Sequence, residues 1–572
     1  MGYMETYNRF LGEAKNPEDY EELISIKDNE DEIRSRFENV LSFGTAGLRG
    51  IIGIGTNRMN LLTVGWASQG LADYINNRYG GGEVAIAYDS RNMSKEFAEH
   101  AASVLAANSI TVYIFRELMP TPMLSFAVRE LKCKAGIVIT ASHNPAQYNG
   151  YKVYGSDGCQ MTTEDTNAVV SRLNTIDMFS DVHNMSYEDA VEIGLVKYIS
   201  NKVINDYFRA VAEEQLNPGI CLEYPISVVY TPLNGAGNKP VRRILEEIGV
   251  SDISVVKEQE LPDGDFPTAP YPNPEMREAL ELGLKLCKEV KPDIFIATDP
   301  DADRVGFAVR RDGEYRILTG NEVGILLLHY IITAHKQKRT MPENPITIRS
   351  VVSSTLVDRI AEDEKVEVIT VLTGFKNIGE QILLLEQKKE EHRFIFGFEE
   401  SCGYLAGSYV RDKDAVFASM MLAEMTSYFR SRNQSLVDVL ENIYKKYGYY
   451  VNTVVNLEFS GLDGNQEMSN IMTSLRENVP QEIAGLSVIK YLDYENKKRI
   501  EVSSGDVSNI SLPSTNMVAF ILEGGAEVMI RPSGTEPKMK IYITTAEKDL
   551  ESSKMLTERL VLASKDMVKD SE

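Results

Sequence analysis

Four short stretches of this chain carry residue types that ordinary turns do not need. The string DPDADR sets Asp299, Asp301 and Asp303 at alternate positions directly behind the apolar run DIFIAT, 293–298. Three carboxylates so placed can converge on one hard cation, and three ligands leave positions open, which suits Mg²⁺ that also holds a phosphate oxygen. Without a cation, charge this dense at a strand end is costly. Arg304 beside the acids can reach the same anion. An EF-hand fails here, because Arg304 stands where that loop needs glycine and Arg310 where it needs a bidentate glutamate.

The second stretch, TASHNPAQYNGYK at 140–152, closes the apolar run AGIVIT with a hydroxyl and an imidazole, Ser142 and His143, and brings the amine of Lys152 ten residues on. A serine carries a phosphoryl group when metal and basic groups neutralise the phosphate and a neighbour handles the proton. NPAQYNG reads as turn chemistry that holds the hydroxyl outward. A Ser-His pair alone more often caps a helix, and no G-x-S-x-G elbow marks a hydrolase serine. The third stretch, GFEESCGY (397–404), packs Glu399, Glu400 and Ser401 in a pattern suited to vicinal sugar hydroxyls. The fourth, RPSGTEPK (531–538), joins Arg531 to Ser533, Gly534 and Thr535; hydroxyls and backbone N–H groups in such a turn form an anion nest, and Arg grips phosphate with two bonds. A further Gly-rich turn, FGTAGLRG (43–50), carries Arg49.

Together these give a hydroxyl that can carry phosphate, a metal site, a sugar loop and a second, remote phosphate loop. A phosphatase needs no second phosphate site, whereas a phosphosugar mutase does. The rival reading, an aspartyl-phosphate phosphatase with Asp299 or Asp301 as nucleophile, needs D-x-D-x-[TV], and position 303 is Asp. It also leaves the TASHNP string unexplained.

The elements that must position these loops alternate in type. Apolar runs at 84–88, 135–140, 226–231, 293–298, 366–371 and 393–398 interleave with amphipathic helical segments at 95–107, 235–248, 276–289, 320–335 and 354–363. That alternation predicts α/β domains with mixed, largely parallel sheets. In open α/β sheets ligands bind beyond the carboxyl ends of the strands, where three of these loops fall. After about residue 448 closely spaced strands (452–460, 516–523, 526–531, 539–545) and a closing helix (550–568) predict an α+β domain. The expected architecture is therefore three consecutive α/β domains (1–205, 206–318, 319–447) and a C-terminal α+β domain (448–572) around one central cleft. A lid motion of the last domain would hinge near 445–450.

Bulk properties narrow the rest. With 572 residues the chain exceeds one core. A formal net charge of −24 argues against nucleic acid or an anionic membrane as partner. Five scattered cysteines without CxxC fit reduced thiols in the cytoplasm. No apolar run is long enough to span a membrane and no secretion signal opens the chain, so the expected partner is a small phosphosugar, with oligomeric state unassigned.

TASHNP, DPDADR, FEES and RPSGTEPK, in this order, resemble the phosphoserine, metal, sugar and phosphate loops of the α-D-phosphohexomutase superfamily, the phosphoglucomutase/phosphomannomutase enzymes. Smaller matches run from about 43 to 545. The resemblance implies a Mg²⁺-dependent, reversible phosphoryl transfer between the 1- and 6-positions of a hexose phosphate, through a phosphoserine enzyme and a bisphosphosugar, glucose 1,6-bisphosphate, that turns over in the cleft.

Carried over by motif, Ser142 is the phosphoserine and, through its phosphate, a metal contact beside Asp299, Asp301 and Asp303. Arg49, His143 and Lys152 assist at the reacting phosphate. Lys413 of RDKDA matches the family's acid–base lysine, although a lysine before a helix can equally be a surface residue. Arg304 contacts phosphate; Glu399 and Ser401 bind sugar hydroxyls with Thr373 and Lys376 of TGFKN nearby; Arg531, Ser533, Gly534 and Thr535 clamp the distal phosphate. The third loop lacks the E-x-S-G-H form of the mannose- and glucosamine-preferring branches, which favours glucose. Cys402 and Ala415 depart from common family residues without touching the chemistry. Length and the FGTAGLRG and TGFKNIG wording resemble the longer subgroup, which also contains phosphopentomutases and glucose-1,6-bisphosphate synthases. A sugar phosphatase and a silent sugar-phosphate binder are the readings outside mutase chemistry.

Overall fold

The structure, a computed structural model, describes residues 2–14, 16–44, 47–459, 464–533 and 538–569. The chain forms two compact units, one of Met1–Gly320, Ile378–Gly397 and Ser401–Asn433, the other of Asn321–Asn377, Phe398–Glu400 and Gln434–Glu572. Compactness thus groups the chain more coarsely than the four expected domains.

The first unit opens with three short helices, Tyr3–Glu13, Pro17–Ser25 and Glu30–Phe37, the latter two N-capped by the side chains of Asn16 and Asn29. They bury Tyr7, Phe10, Leu23, Ile33 and Phe37 in a small core of their own that takes in Ile54. A six-stranded sheet follows in the order Gly47–Ile51, Tyr148–Gly155, Ala135–Ile139, Glu83–Tyr88, Thr111–Ile114, Val196–Tyr198. The first two strands run antiparallel to their neighbours and the rest pair in parallel. Ala135–Ile139 is buried along its whole length, as a strand covered on both faces must be, which explains its unbroken apolar run. A second, five-stranded sheet is ordered Glu314–Leu318, Val305–Arg311, Ile294–Thr298, Ser227–Thr231, Asp252–Val255. Ile294–Thr298 is likewise wholly buried and delivers the DPDADR loop at its carboxyl end.

In the second unit, Ile346–Ser350 and Glu367–Val371 pair in parallel. An antiparallel sheet runs Tyr449–Glu458, Lys538–Glu547, Glu527–Pro532, Val518–Leu522, Leu486–Asp493, Lys498–Glu501, Val507–Asn509. The helices Gly464–Glu477 and Leu550–Lys569 share its core through Met468, Ile471, Leu560 and Val568. The hinge expected near 445–450 falls inside this unit: Gly448, at φ 105, joins the helix Leu436–Tyr447 to the strand Tyr449–Glu458, and the chain last passes between the units at 433/434.

Candidate active site

The serine loop begins where Ala135–Ile139 ends. Ser142 sits in the left-handed region at φ 52, a conformation that a non-glycine residue holds only when its surroundings enforce it. Its side chain is not turned to solvent, as the turn chemistry suggested; Ser142 is 4% exposed. The Ser142 hydroxyl donates to Oδ2 of Asp299 at 2.8 Å, and Nδ1 of His143 lies 3.2 Å from Ser142 Oγ. The Asn149-Gly150 pair is not a turn either. Both residues lie in the strand Tyr148–Gly155, and a Cβ at Gly150 would stand 2.5 Å from the Thr140 carbonyl oxygen. The glycine serves close strand pairing rather than chain reversal. That strand brings Lys152 opposite Val138, with Nζ 3.0 Å from Oδ2 of Asp301.

Asp299, Asp301 and Asp303 are buried, and one oxygen from each lies within 4.8 Å of the others. Backbone N–H groups of Asp303 and Arg304 donate to Oδ1 of Asp299 at 3.1 and 3.0 Å. Thr121, opening the helix Thr121–Glu130, donates its hydroxyl to Oδ2 of Asp301 at 3.0 Å and its N–H to the Asp301 carbonyl at 2.9 Å. Among the described residues, Oδ1 of Asp301 and Oδ1 of Asp303 are buried without a hydrogen-bond partner, Nε of Arg304 standing 3.8 Å from the latter. Orphaned buried carboxylate oxygens are costly, and an all-oxygen donor set of this kind fits a hard dication. Burial and the mutual repulsion of the acids push Asp299 well above the usual carboxylate range. Burial acts on Asp301 in the same direction, but Lys152, a hydrogen bond with Asp299 and the charge of Lys413 together hold that carboxyl below its ordinary value.

Lys413 is not the surface lysine that its place before a helix allows. The helix Ala415–Arg430 starts two residues later under the cap of Asp414, and Lys413 is 7% exposed. Its Nζ bridges Oδ2 of Asp303 at 3.0 Å and Oδ1 of Asp412 at 3.1 Å. Asp412 in turn accepts the Tyr154 hydroxyl at 2.6 Å. Space for the lysine stem comes from Gly403, where a Cβ would lie 2.2 Å from Cδ of Lys413.

Arg49, on the edge strand Gly47–Ile51, reaches Oδ1 of Asn144 at 3.5 Å. Arg304 pairs with Glu275 at 2.8 Å. Burial first, then the positive charges of Arg304 and Arg49, hold the His143 imidazole well below its usual range, so it is neutral. Sequence reasoning missed Asp89, Arg91 and Thr121. For the first two a signal existed: D-S-R directly follows the apolar run VAIAY, the same strand-then-charge pattern that marks DPDADR.

In the second unit, the guanidinium of Arg531 donates to the Thr373 hydroxyl, bringing the fourth loop to TGFKN. Glu399 is buried and accepts the Gly374 N–H at 2.6 Å, with Gly374 at φ 105. Glu400 accepts the Ser350 hydroxyl at 3.1 Å. Lys376 and Ser533 are half-buried, as is Ser401 in the first unit. Gly534 and Thr535 lie outside the described residues.

Family models describing domains I, II and III of phosphoglucomutase/phosphomannomutase match residues 40–179, 205–313 and 319–447. A phosphoglucomutase of Staphylococcus saprophyticus is 37% identical over 524 residues, covering 91% of this chain and 93% of the relative. One of Staphylococcus aureus is 38% identical over 521 residues, covering 90% and 91%. Among solved structures, the open form of the Paramecium phosphoglucomutase pp63/parafusin has a TM-score of 0.68 at 19% identity, covering 93% of this chain and 95% of that one. A Burkholderia thailandensis phosphoglucomutase/phosphomannomutase family protein has a TM-score of 0.65 at 17% identity, covering 92% and 97%. These two structures share the fold. With its matched domains and its full-length relatives, the chain belongs to the phosphoglucomutase/phosphomannomutase family.

Proposed function

We propose that the protein is a Mg²⁺-dependent phosphoglucomutase, which interconverts α-D-glucose 1-phosphate and glucose 6-phosphate through phosphorylated Ser142 and glucose 1,6-bisphosphate. The observation that carries this reading is the Ser142 hydroxyl, 2.8 Å from Asp299 inside a buried triad with orphaned carboxylate oxygens. Bound there by Asp299, Asp301 and Asp303, the metal ion would neutralise charge on the transferring phosphoryl group.

In the first half-reaction a sugar hydroxyl attacks phosphorus, its O–P bond forms, and the bond from phosphorus to Ser142 Oγ breaks. Lys413, as the uncharged amine, would take the proton of the sugar hydroxyl and Ser142 Oγ would be protonated through His143, while Lys152, Arg49 and Arg304 carry positive charge to the phosphate. In the second half, after the bisphosphate has turned over, Ser142 Oγ attacks the other phosphate, its O–P bond forms, the bond from phosphorus to the sugar oxygen breaks, and Lys413 returns a proton to that oxygen. Its proton passes to the neutral imidazole of His143, 3.2 Å away. Positioning and charge neutralisation supply most of the acceleration. Glu399, Ser401, Thr373 and Lys376 would hold the sugar hydroxyls, and Arg531, Ser533, Gly534 and Thr535 the distal phosphate. The names of the relatives and the absence of the E-x-S-G-H form support glucose as substrate. Five buried cysteines, none in a disulfide among the described residues, support a reducing, cytoplasmic setting. Among the described residues no helix is long and apolar enough to cross a membrane.

The test is conversion of glucose 1-phosphate to glucose 6-phosphate with Mg²⁺ and catalytic glucose 1,6-bisphosphate, for wild type and Ser142→Ala, with mannose 1-phosphate and ribose 1-phosphate in parallel. Turnover on glucose that collapses in the alanine variant is expected. Activity surviving in Ser142→Ala would overturn the carrier, and turnover of only ribose 1-phosphate would overturn the substrate.

A further inference from the structure

Both backbone polar groups of Ser142 lead back to one buried carboxylate. The Ser142 N–H donates to Oγ1 of Thr140 at 2.8 Å, and that hydroxyl donates to Oδ2 of Asp89 at 2.6 Å. On the other side, Nη2 of Arg91 donates to the Ser142 carbonyl at 2.5 Å and also to the carbonyl of Asn144. Nη1 of the same guanidinium donates to the carbonyls of Pro145 at 2.9 Å and Tyr148 at 3.0 Å. Nε of Arg91 lies 3.4 Å from Oδ2 of Asp89, with both side chains fully buried. Asp89 is held in turn by the Ser94 hydroxyl at 2.6 Å and the Arg91 N–H at 3.0 Å, and the guanidinium stacks 5.0 Å from the Phe266 ring centroid.

We infer that Asp89, Arg91 and Thr140 form a positioning clamp that holds Ser142 in its left-handed conformation and so aims Oγ at Asp299. None of the three reaches the metal triad through a hydrogen bond or ion pair among the described residues; Arg91 acts on Asp299, Asp301 and His143 by charge, which a lysine would keep, and its hydrogen bonds go to the loop backbone. One guanidinium gathers four carbonyls of residues 142–148, of which Pro145 also accepts the Tyr148 N–H, and a lysine cannot copy that planar, branched grip. A φ of 52 at a non-glycine residue is the conformation that such over-determination maintains. The loop carbonyls could instead have been left to solvent; their capture by a buried ion pair is what fixes the hydroxyl in place.

This inference rests on Ser142 as phosphoryl carrier, and the test keeps the two apart. Thr140→Val removes the hydroxyl at nearly constant shape, Thr140→Ser keeps it, and Arg91→Lys keeps charge while losing the four-carbonyl grip. Each is assayed for kcat and KM on glucose 1-phosphate, for phosphate on Ser142 by intact mass after incubation with glucose 1,6-bisphosphate, and for melting temperature. A misplaced nucleophile should lower kcat by about 100-fold in Thr140→Val and Arg91→Lys, with KM within twofold and less phosphoserine, whereas Thr140→Ser should stay close to wild type. A Thr140→Val enzyme with wild-type kcat, or equal losses in Thr140→Val and Thr140→Ser, would overturn the clamp. Should Thr140→Val fail to fold, wild-type kcat in Arg91→Lys overturns it alone. If Ser142→Ala retains activity the carrier reading falls first; if it is dead while the clamp variants match wild type, only the clamp falls.

Discussion

Lys413 shows how much a single buried charge can decide. Its ammonium lies 3.0 Å from Asp303 and 3.1 Å from Asp412, so it separates two carboxylates that would otherwise face each other. Lys413→Met should lower kcat by about 10²–10⁴-fold, the range of a lost proton exchanger, with KM for glucose 1-phosphate little changed; steady-state kinetics checks both. Arg is no substitute, since the stem is packed against Gly403. The sequence placed Lys413 only through its motif, because the local pattern R-D-K-D before a helix is the same for a solvated lysine as for a buried one. What decides is Asp303, 110 positions away in the chain, and no local pattern carries that. For Arg91 the strand-then-charge pattern marked a place but not a role, because its partners are backbone carbonyls, which leave no trace in residue type.

At the scale of elements, the strands were the legible part. Runs such as AGIVIT and DIFIAT are buried on both faces and therefore read as unbroken apolar stretches, and the observed strands Ala135–Ile139 and Ile294–Thr298 fall within them. Tyr148–Gly155 was hidden because Asn149 and Gly150 have turn chemistry, here spent on a buried side-chain bond from Asn149 to Ser94 at 3.0 Å and on close approach to Thr140. Strands with mixed polarity on half-exposed faces, such as Lys498–Glu501, gave no period to read.

Two predictions belong to elements. Gly403 opens the strand Gly403–Leu405 against the Lys413 stem, so Gly403→Ala should displace the lysine and cost about 10-fold or more in kcat for a shift of this size; kcat against melting temperature separates displacement from unfolding. Glu214 caps the helix Asn201–Glu213, and its Oε1 would lie 1.9 Å from a Cβ at Gly407. Burial raises its carboxyl from 4.5 to about 7. The folded state therefore holds a proton that the unfolded chain releases near 4.5, an advantage complete below that pH and lost as pH rises to about 7. Glu214→Gln should flatten this dependence, gaining up to about 3 kcal/mol on wild type between pH 4 and 8; paired melts at the two pH values decide it.

For the whole molecule, the metal loop is where distant parts of the first unit meet. Thr121, Ser142 and Lys152 reach it from one stretch, Lys413 from another, and the Ala415 N–H donates to the Ala302 carbonyl at 3.2 Å while the Val305 N–H donates to the Cys402 carbonyl at 2.9 Å. A dication at the triad should accordingly report on the fold as well as on catalysis. Mg²⁺ at about 100 times its dissociation constant should stabilise by about 2.7 kcal/mol, seen as a higher melting temperature than in EDTA, and Asp301→Asn should erase the difference.

These contacts span 157 positions from Ser142 to Asp299 and 180 from Thr121 to Asp301. During synthesis the serine and the groups that hold its backbone are complete long before the metal loop exists, and Lys413, which pairs with Asp303, emerges some 270 codons after the serine. Long-range closure is slow and comes after local structure. With Ser142 as the proposed carrier, a nascent or truncated chain would hold a chemically inert serine, and phosphate on Ser142 would be a seal borne only by molecules whose first unit has finished folding.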